Sequence, residues 1–570
     1  MRTIIFSFLL LSYLCAAAQD WENNNSFTYD ALISYYSELA ANNEQASLIE
    51  IGKSDIGKPI HLLIISKDGE TDITKIKRGN KRVVFINNGI HAGEACGIDA
   101  SFEVAKEVLE SKTELSKTLE KTVILIIPVY NIGGMLNRGK YSRANQNGPN
   151  EHGFRGNAKN LDLNRDFIKC DSKNAAVFSQ VFTAWDPDVF VDTHTTNGSD
   201  HQYTLTVIAS QKDKQSPVTS GFQHNFMVPT IFQKMKDKSM EITPYIYPIN
   251  KDPKKGIKDF LETPRFSSGY ASLFCTFSFI TEAHVYKPFS ERVRQTAEFL
   301  KQVIQFTATY SEEIRRKRQE AIAFEKKRIV FPINWKLDTN ESIKINFNGF
   351  KTVKRISEVT NQEMTFYDKS QPYQESIEYF NTYKAIVEIE KPKYYLIPQA
   401  YTDIVERLKW NKIKLRKLNS DTIISVNSYY ITDYETSSKP YEAHYLHNNV
   451  EITEEAQELK FYSGDYLVDC NQKNIRFIVE TIEPQGVDSY FSWNFFDGSL
   501  QQKEWFSDYA FEPKAKEVLA NNPTLKKKFE QKRASDSSFA KNNFAQLYFI
   551  YKRSKYYETS AFRYPIFRIE

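Results

Sequence analysis

From about Val83 to Val285 short apolar, β-branched runs alternate with helical spacings, the pattern of a sheet flanked by helices. Val83-Val84-Phe85-Ile86 reads as a buried strand. The loop Asn87-Asn88-Gly89-Ile90-His91 follows, and then a helix over 98–109, where Ile98, Phe102, Ala105 and Val108 form one apolar or small face. Further strands are predicted over 123–129, 189–192, 203–208 and 276–280. After Pro288 a charged stretch over 291–328 has helical composition, and its cluster Arg315-Arg316-Lys317-Arg318 reads as a solvated helix face.

Beyond Val330 the pattern changes to short alternating runs such as Ser342–Phe347 and Ala385–Ile389. These predict a β-rich accessory region over 329–570, with a helical segment near 513–541. Its aromatic stretch Tyr490–Phe496 reads as core. A chain of 570 residues exceeds what one compact core usually holds, so at least two domains are expected. The first spans residues 19–328.

Charge narrows the function classes. With 75 basic and 71 acidic residues the net charge is +4, and nothing points to nucleic acid. At the N-terminus Arg2 precedes the apolar run Ile4–Leu11 and the small residues Ala16-Ala17-Ala18. That order predicts a signal peptide over 1–18, cleaved before Gln19, and a secreted or periplasmic protein. The run is shorter than the ~20 residues a membrane span needs, so no transmembrane segment is expected after cleavage. The scattered Cys96, Cys170, Cys275 and Cys470 read as isolated buried thiols. No feature indicates a partner protein.

The chemistry gathers at strand ends. His91-Ala92-Gly93-Glu94 is an HxxE element after a strand, and its His and Glu can face one metal from a turn entering a helix. Asp192-Thr193-His194 adds a second imidazole after another strand. Two imidazoles and one carboxylate are the ligand set of a catalytic zinc that keeps one position open. Glu282, in Thr281-Glu282-Ala283-His284, follows yet another strand and suits a general base. In the polar loop Asn160–Phe167, Arg165 is suited to hold a carboxylate. Arg138 and Arg143 are both suited to stabilise an oxyanion, and the chemistry alone leaves them equal.

The ordered set of HxxE, Asn-Arg, His after a strand and strand-end Glu resembles the zinc carboxypeptidase (carboxypeptidase A-like) family over about 26–306. The resemblance implies an α/β fold, a mixed eight-stranded sheet flanked by helices. It implies one zinc (Zn2+) held by His91, Glu94 and His194, with Glu282 as general base. Asn164 and Arg165 match the pair that holds a substrate's terminal carboxylate. Arg143 matches the carbonyl-polarising arginine, with Arg138 as the alternative because residues 146–159 look inserted. Tyr270 is the nearest match to the tyrosine that covers the substrate, although it lies closer to Glu282 than the family pattern has it. His284 and Lys287 mark a divergent, bacterial-type member.

The implied activity is zinc-dependent peptide hydrolysis that releases C-terminal residues. The alternatives are a deacylase or amidase on small acyl-amino acids or cell-wall peptides, and a catalytically inert binding protein. His444 and His447, an HxxH in a polar stretch, read as exposed side chains.

Overall fold

The computed structural model describes residues 20–110 and 113–570. The expected signal peptide lies outside the described residues. Among those described, no helix is long and apolar enough to cross a membrane.

A mixed eight-stranded sheet organises the first half of the chain. In spatial order its strands are Ala46–Lys53, Pro59–Ile65, Thr122–Ile127, Arg82–Asn87, Val189–Thr196, Phe277–His284, Leu205–Ala209 and Thr243–Pro244. The four from Thr122–Ile127 to Phe277–His284 run parallel, and antiparallel neighbours flank them. Every residue of Arg82–Asn87 and Thr122–Ile127 is buried, as strands covered on both faces require. Phe178 and Phe182 of the helix Lys173–Trp185 stack on Phe85 with ring centroids at 5.6 and 6.2 Å. The helices Cys96–Leu109 and Phe289–Thr309 pack on each other.

Some elements differ from the sequence reading. The edge strand Ala46–Lys53 and its neighbour Pro59–Ile65 were not anticipated. The stretch expected as one helix forms two, Phe289–Thr309 and Ser311–Lys327, broken at Tyr310, whose ring packs on Phe306 at 4.6 Å and Phe226 at 4.9 Å. Within the basic cluster Arg315 and Arg316 are exposed and paired with glutamates, but Arg318 is buried against Asp186 and Asp188 at 2.9 and 3.0 Å. Two acids, Asp188 buried and Asp186 partly so, outweigh the solvated reading there. Cys96, Cys170, Cys275 and Cys470 are buried free thiols.

The second half is β-rich. Its largest sheet has six strands in the order Leu415–Lys417, Tyr466–Asp469, Tyr394–Ile397, Phe567–Ile569, Thr422–Thr436 and His447–Phe461. A second hairpin, Ile343–Ile356 with Glu363–Phe380, extends into the first half, where its second strand pairs with Ile257–Lys258. The helices Asp508–Asn521, Pro523–Ser535 and Asn543–Tyr551 enclose a separate small core around Phe511, Phe529 and Phe539. The main apolar core is continuous from Phe27 to Ile566 and contains Phe331, Tyr395, Phe477 and Trp493 beside the sheet's own residues.

Candidate active site

Loops at the carboxyl end of a parallel sheet gather side chains from several strands, and three strands do so here. His91 and Glu94 share the turn after Arg82–Asn87, closed by Glu94 N–H donating to the His91 carbonyl at 2.8 Å. His194 lies inside Val189–Thr196 and Glu282 inside Phe277–His284, each within its strand rather than just beyond it. The two are register partners on adjacent parallel strands, so their side chains rise on the same face. The helix after Glu94 lies close against the strand Val189–Thr196. A Cβ at Gly97 would fall 2.0 Å from Thr193 Oγ1, which explains the glycine.

The ligand atoms of His91, Glu94 and His194 lie within 4.8 Å of one another, and all three residues are buried. His91 Nδ1 stands 3.3 Å from Glu94 Oε1 and makes no hydrogen bond. His194 Nδ1 stands 3.2 Å from Glu94 Oε2. The opposite ring nitrogens meet carboxylates: His91 Nε2 lies 2.8 Å from Asp162 Oδ1, and His194 Nε2 lies 2.9 Å from Asp192 Oδ2. An ionised carboxylate only accepts, so each pairing puts the proton on Nε2 and leaves the Nδ1 lone pair for a cation. Thr195 N–H donates to Glu94 Oε2 at 2.8 Å and fixes that carboxylate. Two oriented imidazoles and a fixed carboxylate around one point fit zinc.

The electrostatics agree with a cation site. Burial pushes the Glu94 carboxyl up, but His91, Arg143 and His194 together hold it well below the usual carboxylate range. Burial opposes protonation of His194, yet Asp192 and Glu94 raise it well above the ordinary histidine value. Glu282 behaves differently. Burial pushes its carboxyl up to about 8, with His194 pulling it back and Glu94 adding to the rise.

These residues line a cleft of about 440 Å³. Arg143 enters it, donating from Nη2 to Glu94 Oε1 at 3.1 Å and from Nε to Gln146 at 2.8 Å. Asn164 and Arg165 form another part of the wall. Asn164 Oδ1 accepts from Ser267 N–H at 3.0 Å, and the Arg165 guanidinium lies 4.4 Å over the Phe266 ring. Ile208, Tyr245, Phe260, Phe266 and Ile280 add an apolar side.

Two expected residues stand elsewhere. Arg138 donates to the Ser26 and Phe27 carbonyls at 2.9 and 3.0 Å and does not line the cleft. Tyr270 is fully buried in the short helix Ser267–Ser272, its ring among Phe167, Phe182 and Phe274 and its hydroxyl donating to Asn411 at 2.6 Å. The tyrosine on the cleft wall is Tyr245, whose hydroxyl accepts from Thr196 Oγ1 at 3.3 Å.

A third arginine was missed. Arg155 lines the cleft, with Nη2 2.8 Å from Asp162 Oδ2 and Nη1 3.7 Å from Glu94 Oε1. It belongs to the stretch 146–159, which has no counterpart in the family pattern and so offers no motif to mark it. His444 and His447 also depart from expectation. His447 is buried and bonded to Asp497 at 2.9 Å, and His444 meets Asp171 at 2.7 Å.

In comparison with known proteins, residues 32–207 match the model described as zinc carboxypeptidase. These residues carry the likeness to zinc carboxypeptidases. Carboxypeptidase 2 of Trichophyton tonsurans is 22% identical over 458 residues, covering 77% of this chain and 78% of that protein. Carboxypeptidase 2 of Trichophyton rubrum is 22% identical over 475 residues, covering 80% and 81%. Among solved structures, a metallo-carboxypeptidase from Pseudomonas aeruginosa in complex with (2-guanidinoethylmercapto)succinic acid aligns with a TM-score of 0.38 and 16% identity, over 51% of this chain and 70% of that one. Carboxypeptidase A from Helicoverpa armigera aligns with a TM-score of 0.38 and 16% identity, over 54% and 81%. Together these likenesses support a zinc metallocarboxypeptidase, a hydrolase.

Proposed function

We propose that the protein removes C-terminal residues from peptides outside the cytoplasm, after its N-terminal segment has directed export. His91, Glu94 and His194 would hold one zinc ion, which when bound supplies a Lewis acid and an acidified water. The observation that carries the reading is the register pairing of Glu282 with His194, which sets a carboxylate of raised pKa beside the ligand cluster in the same cleft. A carboxylate so placed accepts the proton of the attacking water and returns it to the leaving nitrogen. Asn164 and Arg165 receive the substrate's terminal carboxylate, since a guanidinium pairs with a carboxylate through two parallel hydrogen bonds. Arg143 and Arg155, both near Glu94, supply positive charge where the scissile carbonyl oxygen becomes negative. The apolar side around Phe260 and Phe266 suits a hydrophobic residue.

The test is zinc content together with cleavage of a mixed peptide library by the purified mature protein, with Glu282→Gln alongside. Expected is one zinc per chain in both proteins, and stepwise loss of C-terminal residues, read by mass, with the wild type alone. Zinc without peptide cleavage, but with release of acyl groups from acyl-amino acids, would replace this reading by a deacylase. No zinc after reconstitution would sink it.

A further inference from the structure

The C-terminal half reaches the loop that carries Asn164 and Arg165 through the tip of one hairpin. The strands Thr422–Thr436 and His447–Phe461 pair antiparallel, and the chain between them folds into a turn at Tyr441–His444. Tyr441 N–H donates to the His444 carbonyl at 2.7 Å, and His444 N–H to the Tyr441 carbonyl at 3.0 Å. The central residues, Glu442 with φ 50° and Ala443 with φ 69°, are both left-handed although neither is glycine. Such a turn ordinarily takes Asn-Gly, because side chains resist this conformation. Strain of this kind persists where surrounding contacts over-determine it, and it clusters at functional sites.

The surrounding contacts fall on the loop that carries Asn164 and Arg165. Glu442 Oε2 accepts the Asp162 N–H at 2.7 Å. The Tyr441 hydroxyl accepts from Arg165 Nε at 2.9 Å. His444 bonds Asp171 at 2.7 Å and Asn494 at 2.6 Å, so the turn is anchored on both sides. Arg165 Nη1 is engaged by the Asn164 carbonyl at 2.8 Å, and the guanidinium face rests on Phe266. Nε and one Nη1 N–H are thus occupied and the plane is fixed, which leaves the second Nη1 N–H and Nη2 for a ligand in the cleft that Arg165 lines. Asp162 also bonds His91, so one short loop joins the candidate metal ligand to the carboxylate-binding pair.

We infer that the Tyr441–His444 turn is part of the substrate site. Tyr441 orients the Arg165 guanidinium and Glu442 fixes the backbone at Asp162, so affinity for a substrate's free terminal carboxylate is set by the C-terminal half. Both are positioning residues that act through Arg165 and Asp162, and the inference rests on the proposed role of Asn164 and Arg165. Orienting a long side chain in advance removes an entropy loss that binding would otherwise carry. It therefore shows in KM for substrates bearing the carboxylate, and much less in kcat.

The experiment uses the full-length, zinc-loaded enzyme with an N-acylated dipeptide and its terminal amide, the amide tested as substrate and as competitor. Tyr441→Phe, which removes one hydroxyl, is expected to raise KM for the acid about fivefold to tenfold, with kcat within about twofold and the amide unaffected. In the Arg165→Ala background the same change is expected to add less than about twofold. Glu442→Ala is expected to raise KM for the acid, and Glu442→Gln, which keeps an acceptor for Asp162 N–H, to restore it. A wild-type KM in Tyr441→Phe, while Arg165→Ala raises it, would overturn the positioning role and leave the proposed function standing. An equal loss on acid and amide, with a lowered melting temperature, would reduce the turn to a structural staple. If Arg165→Ala left KM for the acid unchanged, the carboxylate reading and the inference would fall together.

Discussion

Arg143 and Arg155 approach Glu94 in different states of preparation. Arg155 is clamped to Asp162 through Nε and Nη2 at 3.0 and 2.8 Å, so its remaining nitrogen is aimed before substrate arrives. Arg143 instead donates to Glu94 itself, a contact that a cation on Glu94 competes with. Preorganised donors contribute most to charge developing in the transition state. Arg155→Ala is therefore expected to lower kcat about 100-fold, and Arg143→Ala about tenfold, in steady-state assays at equal zinc content. The opposite order would give the carbonyl oxygen to Arg143. At this scale the sequence was informative where chemistry is local. His91 and Glu94 lie in one short motif, and His194 and Glu282 follow apolar runs that announce their strands. Arg155 was missed because its partners define its role and its own surroundings do not. Tyr270 was misjudged because the burial of a small helix of serines, glycine and alanine depends on what packs over it.

Elements carry what single residues cannot. The main sheet was legible from six-residue β-branched runs, whereas its edge strand Ala46–Lys53, largely uncovered and bulged at Gly52, gave weaker alternation. The turn at Tyr441–His444 left no trace in the sequence, because its bonds to Arg165 and Asp162 span 276 and 280 residues. Its anchor is a titrating pair. Burial lowers His444, but Asp171 raises it above its ordinary 6.5, and burial raises Asp171, but His444 and Lys169 bring it down to about 2. A histidine raised on folding adds stability that is complete below 6.5 and is lost as pH climbs through the raised value. An aspartate lowered on folding adds stability above its ordinary 3.8 that is lost as pH falls towards about 2. The bond is therefore strongest from roughly pH 4 to pH 6.5. His444→Gln is expected to cost about 1 kcal/mol in urea unfolding near pH 5.5 and clearly less near pH 9. Equal losses at both would show that charge plays no part.

At the scale of the whole molecule, the change of architecture near residue 328 is not a break in the core. Phe331, Tyr395, Phe477 and Trp493 belong to the same apolar cluster as the catalytic sheet. A chain cut after Lys327 exposes the apolar surface they cover, and is expected to give an insoluble or loosely packed product, read by near-ultraviolet circular dichroism and limited proteolysis. A cooperative, zinc-binding fragment would disprove this shared core. The six-stranded sheet adds a temporal consequence. Its strand Phe567–Ile569 lies between Tyr394–Ile397 and the hairpin that ends in Tyr441, and Arg568 within it is tied to Glu483 at 2.7 Å. On the ribosome the eight-stranded sheet is made first, yet that hairpin meets no neighbour on its inner edge until residues 562–569 emerge, after the helical module. A nascent chain can thus bring His91, Glu94 and His194 together long before the hairpin tip that contacts Arg165 and Asp162 is held within its own sheet.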